Sequence, residues 1–349
     1  MRRIPRPTRS ASLTGLAVCL LLAAGAAPGG RGSAPVVRFA FTGDIAMVAG
    51  PAADYFRSVR RQLAGDVVLG NLEGTLTERG SPKCASGSSD CFSFRAPPSY
   101  ARLLRGAGFT VLNLANNHAL DYGTVGQHDT VAALRSAHLL TTGRPGEIAY
   151  MNVRGTRVAV LGFAPYPWAQ SLLNLPVAEA LVRRADRWAD LVVVTMHAGA
   201  EGADERHVRP GNEWFLGENR GNAVAFARSM VRAGADLVVG SGPHVLRGME
   251  WYRGRLIAYS LGNFVGYRTL NTAGVPGVTG ILQVTLRRDA LWQSGRLDAL
   301  TIAGTGIPRP DASGAARGAV RTLSAEDFGA SAMRISVKGV LTPPLDKDR

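Results

Sequence analysis

The chain has 349 residues, 46% hydrophobic and 19% charged, a globular balance that excludes a disordered or low-complexity polymer. Its formal charge of +14 rests almost wholly on arginine and suits an acidic partner: a polyanionic polymer, a wall polymer or a membrane surface. No block of consecutive basic residues and no basic stretch interleaved with aromatics is present, so nucleic acid is not expected as a partner.

The amino terminus carries Arg2, Arg3, Arg6 and Arg9 ahead of an apolar run at 13–27 that ends in small residues. That run is short for a membrane span and fits a secretory signal peptide over 1–34, cleaved between Ala26 and Ala34. An uncleaved anchor is the alternative. Cys19 follows Val18 rather than a small residue, which argues against a lipid-anchored start. Export predicts an extracellular or envelope-associated protein and gives the other two cysteines a meaning. Cys84 and Cys91 flank a Ser/Gly-rich loop, and an oxidising compartment favours a local disulfide. A metal site is the rival reading, weakened by the lack of a nearby His.

Strands are expected at 35–43, 66–70, 109–114, 157–163, 190–196, 236–240 and 280–286, each an apolar or alternating run. Helical spacing falls at 100–108, 124–138, 176–189 and 222–233, and a hairpin is expected across Arg253-Gly254. This alternation predicts one α/β domain over 35–290. Residues 291–349 read as a C-terminal extension whose short strands pack on that domain.

Several strands end in polar, metal-competent residues: Asp44, Glu73, the group Asn116, Asn117 and His118, then His197 and His244. Each alone has an ordinary explanation, a helix N-cap, a surface charge or a core histidine. In open α/β sheets, however, ligands sit at the carboxyl ends of strands. Carboxylate, amide and imidazole groups meeting there predict a divalent-metal or catalytic site.

The segments TGDIAM, DVVLGNLEGTLT, FRAPPSY, AGFTVLNLANNHALDYG, VVTMHAGAE, GADLVVGSGPHVLRGMEWYRGRLIAYSLGNFV and LSAEDFG carry a resemblance. Together they resemble the bacterial capsule-synthesis CapA family of poly-γ-glutamate capsule biosynthesis. Its domain is similar to calcineurin-like metallophosphatases. The resemblance implies a four-layer α/β/β/α sandwich, two mixed sheets flanked by helices, with one or two divalent ions (Mn, Fe or Zn). It implies Asp44, Glu73, Asn117, His197 and His244 as metal ligands, and His118 as proton donor with Asn116 beside it. Arg95, Arg247 and Asn263 are candidate substrate contacts, with an ordinary surface arginine or turn asparagine the alternative for each.

Two departures from the superfamily pattern stand out. Ala46 and Ser241 occupy positions where it usually has histidines, which leaves few side-chain ligands for two ions. Asp121 or Glu201 could supplement them. The expected function is therefore a metal-dependent, phosphoesterase-like hydrolase acting on an anionic envelope polymer or its precursor, with membrane-bound capsule synthase components as partners. The alternative is a non-catalytic polyglutamate-binding assembly or export factor with a structural or vestigial metal site.

Overall fold

The computed structural model describes residues 35–50, 55–85 and 91–345. The expected signal segment 1–34, with Cys19, lies outside the described residues. The chain starts one sheet, builds a second, and returns to complete the first. β1 (Val36–Ile45) and β2 (Val67–Leu72) lead to a short ribbon, β3 (Thr75–Leu76) with β4 (Arg95–Ala96). Helix α1 (Tyr100–Ala107), β5 (Val111–Asn113), α2 (Gly123–Ser136) and β6 (Leu140–Thr142) follow. β1, β2, β5 and β6 are parallel neighbours, so their carboxyl ends share one edge.

The second sheet contains β7 (Ala149–Val153), β8 (Thr156–Phe163) and β9 (Leu191–His197), with α3 (Leu175–Trp188) between the last two. A separate ribbon of β10 (Glu213–Phe215) and β11 (Glu218–Gly221) then precedes α4 (Ala223–Ala233). β12 (Leu237–Ser241), β13 (Met249–Tyr252) and β14 (Arg255–Ala258) complete the order β13-β14-β12-β9-β8-β7. The chain returns through β15 (Asn263–Val265), β16 (Val278–Arg287), β17 (Trp292–Thr301) and β18 (Arg309–Pro310). It ends with α5 (Ala315–Phe328), β19 (Arg334–Ile335) and β20 (Val340–Thr342). The first sheet reads β19-β20-β17-β16-β1-β2-β5-β6. Both sheets mix parallel and antiparallel pairs.

Side-chain alternation sorts the chain into layers. Phe39 and Phe41 of β1, Leu69 and Val111 face Val160, Val193, Val239 and Leu256 of the second sheet, forming the central core. On the outer face of the first sheet, Val68 and Leu112 pack with Leu104 of α1 and Leu134 of α2. On the outer face of the second, Val192, Val194 and Val238 pack with Val182 of α3 and Phe226 and Met230 of α4. The result is a four-layer α/β/β/α sandwich. Strands covered on both faces need no polar side, which is why β9 is buried at every position. Helices α3 and α4 begin on side-chain caps. Asn174 accepts from the Val177 N–H at 3.3 Å, and Asn222 from the Ala225 N–H at 2.9 Å.

Three features escape the sequence reading. β17 pairs with β16 from Leu286 to Val278, a full strand where the sequence shows only a short apolar run. Its polar residues and Gly295 mask the pattern. Helix α5 buries a narrow stripe of small and aliphatic residues, with Ala316 and Val320 reaching the central core. The β10–β11 ribbon has no apolar alternation at all. Cys84 and Cys91 are joined by a disulfide that closes the loop between β3 and β4. No helix among the described residues is long and apolar enough to cross a membrane.

Replacing Leu256, fully buried between the sheets, with Ala should cost about 2–5 kcal/mol in urea unfolding. Val177→Ala, at a side chain 61% exposed on α3, should stay within about 0.5 kcal/mol of the parent.

Candidate metal centre

The site starts from a register row across the first sheet. Phe41 pairs with Leu69, then Asp44 with Asn71, so β1 takes three steps against two of β2. Such a bulge re-aims the following side chain, here Asp44 at the end of β1. Gly43 is required at the bend, because a side chain would meet the Gly262 carbonyl oxygen at 1.8 Å. Asn71 in turn stands opposite Asn113 of β5. Asn113 Nδ2 donates to Asn71 Oδ1 at 2.9 Å, and Asn71 Nδ2 donates to Asp44 Oδ1 at 2.8 Å. Asn71 Nδ2 also lies 3.1 Å from His197 Nδ1 at the end of β9, so a single amide joins the two sheets.

Glu73, immediately beyond β2, occupies the middle. It is fully buried, and its Oε1 lies 3.6 Å from His197 Nε2, 3.6 Å from His244 Nε2 and 4.0 Å from His118 Nε2. His244 arrives on the loop after β12. The Gly242 N–H of that loop donates to Asp44 Oδ2 at 3.1 Å. His244 itself has φ 60°, a left-handed conformation costing about 1–2 kcal/mol. Its Nδ1 is 2.8 Å from Asn263 Oδ1 and 3.2 Å from Asp44 Oδ2.

The electrostatics follow from burying like charges together. Burial and the Asp44 charge push Glu73 well above the usual carboxylate range. Burial opposes the charge of Asp44 too, but hydrogen bonds and the charges of His197 and His244 hold it well below that range. His244 is pushed up to about 10: burial works against its cation, and Glu73, Glu201 and Asp44 outweigh burial. For His197 and His118, burial prevails and lowers both.

These residues fit a divalent cation. Both Glu73 oxygens and His197 Nε2 are buried without a hydrogen-bond partner, an expensive arrangement unless something positive sits among them. Asp44, Glu73 and His244 each offer a ligand atom within 4.8 Å of the others. Spacings of 3.2–3.6 Å between donors suit ligands around one ion, whose bonds of about 2.1 Å set neighbours roughly 3–3.5 Å apart. Carboxylate with imidazole is the donor chemistry of Mn, Fe and Zn.

His118 is held beside this group by its own partners. Its Nδ1 is 2.8 Å from Asp121 Oδ2, and its ring stacks on Phe94 at 4.4 Å. Lys83 Nζ pairs with Asp121 Oδ1 at 2.8 Å. With Nδ1–H donating to that carboxylate, Nε2 is left as the ring nitrogen that faces Glu73. Asn117, one residue earlier, carries a buried amide oxygen without a partner.

Three of the expected site residues are engaged in holding contacts. For Asn116, Nδ2 donates to Asn71 Oδ1 and the Leu72 carbonyl, and Oδ1 accepts from the His118 N–H. It braces the loop that presents His118. Arg247 is fully buried with its fork on Glu213 at 2.8 and 2.7 Å, so no donor pair is left for a substrate. Asn263 orients His244, and its Nδ2 donates to the Asn271 carbonyl at 3.2 Å. Arg95 is exposed, its guanidinium 4.5 Å from the Tyr122 ring centroid. The sequence reading missed Asn71, whose signal is a polar residue inside the buried strand VVLGNL. It also missed Arg220, buried on β11 with Nη2 2.6 Å from Glu201 Oε1, which no local pattern announces.

Fold and site together define an α/β sandwich protein with a buried carboxylate–histidine cluster, a candidate cation centre, at the strand ends. Residues 38–268 match the model of the bacterial capsule synthesis protein PGA_cap, and the chain belongs to that family. It is 35% identical over 235 residues to the capsule biosynthesis protein CapA of Bacillus anthracis, covering 61% of this chain and 54% of that protein. Over 219 residues it is 33% identical to the PGA biosynthesis protein CapA of Bacillus subtilis (strain 168), covering 58% and 53%. The chain thus spans about half the length of these relatives. A solved 5'-nucleotidase precursor from Thermus thermophilus superposes at TM-score 0.44 and 15% identity, covering 84% of this chain and 59% of that one.

Excess Mn²⁺ or Zn²⁺ should raise the thermal midpoint of the wild-type chain, by about 2.7 kcal/mol of stability at a hundred times Kd. Glu73→Gln should abolish that rise in differential scanning fluorimetry. Asn71→Ala should lower stability of the metal-free protein by about 1–3 kcal/mol in urea, because buried Asn113 and Asn116 amides lose their acceptor.

Proposed function

We propose that this chain is an exported, metal-dependent hydrolase of capsule synthesis that acts on an anionic polymer of the polyglutamate kind or on its precursor. The observation that carries the reading is the buried Glu73 carboxylate, both oxygens unpartnered, ringed by His118, His197 and His244. A scaffold has no use for such a group. Asp44, Glu73, His197 and His244 would hold one or two ions of the Mn, Fe or Zn type, with Asn117 Oδ1 a further oxygen donor. The bound cation supplies Lewis-acid polarisation and charge neutralisation at the scissile group.

The protein's own residues do the rest. Asp121 fixes the His118 ring through Nδ1, so that Nε2 gives or takes the proton of the leaving or attacking oxygen. Phe94 covers one face of that ring and keeps water from it. Arg95, exposed and next to Phe94 in the chain, is the arginine this reading assigns to an anionic group of the substrate. The charge of +14, or +9 once the five arginines of 1–34 are removed (14 − 5), draws a polyanion toward the surface. The names of the Bacillus relatives point to capsule and polyglutamate polymers, and the sequence of 1–34 supports export to meet them. Membrane-bound synthase components are the protein partners this placement implies.

A second reading, a polymer-binding assembly factor, is favoured by Ala46 and Ser241, which remove two imidazoles from the ligand set. His118→Ala separates the two. In a capsule-deficient strain complemented by the variant, and in purified protein given poly-γ-glutamate with Mn²⁺ or Zn²⁺, it should lower turnover about 10²–10⁴-fold while metal content is unchanged. Full capsule output from a folded His118→Ala protein would leave the assembly factor as the surviving reading.

A further inference from the structure

The segment 198–221 leaves the end of β9 and returns through the β10–β11 ribbon. It delivers Glu201, whose Oε2 lies 3.5 Å from His244 Nε2, the atom that is 3.6 Å from Glu73 Oε1. The other Glu201 oxygen is paired with Arg220 Nη2 at 2.6 Å, and Arg220 is itself buried on the returning strand. Glu201 is thus aimed from both sides: one oxygen fixed by a guanidinium, the other free toward the histidine.

The segment is fastened at three places. The Gly199 N–H donates to the Arg220 carbonyl at 3.0 Å, and the Gly202 N–H to the Pro243 carbonyl at 3.2 Å, beside His244. Arg247 binds Glu213, the Glu205 carbonyl at 2.8 Å and the Ala200 carbonyl at 3.3 Å. The third fastening comes from α5, beyond the residues that match the family model. Asp327 of the LSAEDFG stretch holds His207 Nδ1 at 2.7 Å and accepts from the Val208 N–H at 2.9 Å.

We propose that Glu201 is a ligand of the metal centre, supplied by the 198–221 strap in place of the imidazoles absent at Ala46 and Ser241, and that Asp327 is a positioning residue that clamps this strap. The inference rests on the metal-centre reading above. It gives α5 a function in the site, although the helix contributes no group to it. It also gives Arg247 and Arg220 their roles: neither meets substrate, and both hold the strap in register.

The test is Mn²⁺ and Zn²⁺ affinity of the purified chain, read by competition with a chromophoric chelator. Glu201→Gln should weaken binding about tenfold or more in protein shown to be folded by circular dichroism, and should also lower the unfolding midpoint, because buried Arg220 loses its partner. Asp327→Ala should weaken binding by about tenfold and hasten tryptic cleavage after the exposed Arg206. Asp327→Asn, which keeps an acceptor for the Val208 N–H, should lie between. Glu218→Gln, the exposed partner of Arg220, should leave affinity unchanged. Wild-type affinity in Glu201→Gln alongside lost binding in Glu73→Gln would remove Glu201 from the ligand set and leave the centre standing. Wild-type affinity in Glu73→Gln would overturn the centre itself. Wild-type affinity and cleavage in Asp327→Ala would remove the clamp.

Discussion

The structure depends on putting two carboxylates, Asp44 and Glu73, in a place from which water is excluded. Both are fully buried, and only one is supplied with hydrogen-bond donors. An uncompensated buried charge costs several kcal/mol, so the protein must either protonate Glu73 or give it a cation. Burial and the Asp44 charge push Glu73 toward the first solution, while the carboxylates around His244 favour its cation. The second solution, a dication, satisfies all of these groups at once. The architecture follows from that need. Two sheets are required because the donors come from both: Asp44 and Glu73 from the first, His197 and His244 from the second.

Joining two sheets at their carboxyl edges is harder than packing their faces. The faces are held by non-directional burial of Phe39, Phe41, Val193 and Leu256, which tolerates small slips. The edge tolerates none, because donors must meet within tenths of an ångström. Asn71 resolves this by committing its whole amide to register. Its oxygen accepts from Asn113 and Asn116, and its nitrogen reaches Asp44 and His197. A β1 strand without the bulge before Asp44 would turn that side chain to the opposite face, since side chains alternate with a period of two.

Much of this was legible in the sequence, and the boundary between legible and hidden has a physical basis. Asp44, Glu73, His197 and His244 could be found because each follows an apolar run, and a strand is a local pattern. The layers followed from strands alternating with helices. What stayed hidden was non-local. Arg247 looked free because Glu213 lies 34 positions earlier on a ribbon with no pattern of its own. Asn116 and Asn117 are adjacent amides, and only the fold shows that one is fully hydrogen-bonded while the other keeps a bare oxygen. Helix α5 hid because it buries only Ala316, Val320, Leu323 and Ser324, two of them small, so its stripe barely rises above the composition around it.

The two buried arginines show how the same chemistry serves different ends. Arg247 and Arg220 each face carboxylates, and sequence logic assigns such residues to an anionic substrate. A guanidinium that is 0% exposed and bidentate on Glu213 is a structural rivet, and loss of either partner would strand a charge in the interior. Arg220 differs because its acid partner, Glu201, also faces His244. Its charge is therefore felt at the metal centre where, against the effect of burial, it draws Glu73 and Glu201 toward ionisation. A cation fixed at that distance makes the carboxylates better ligands without competing for the ion's place. With Glu201 as the proposed ligand, the absence of histidines at positions 46 and 241 would be a change of ligand chemistry from imidazole to carboxylate, with a buried arginine to balance the added charge.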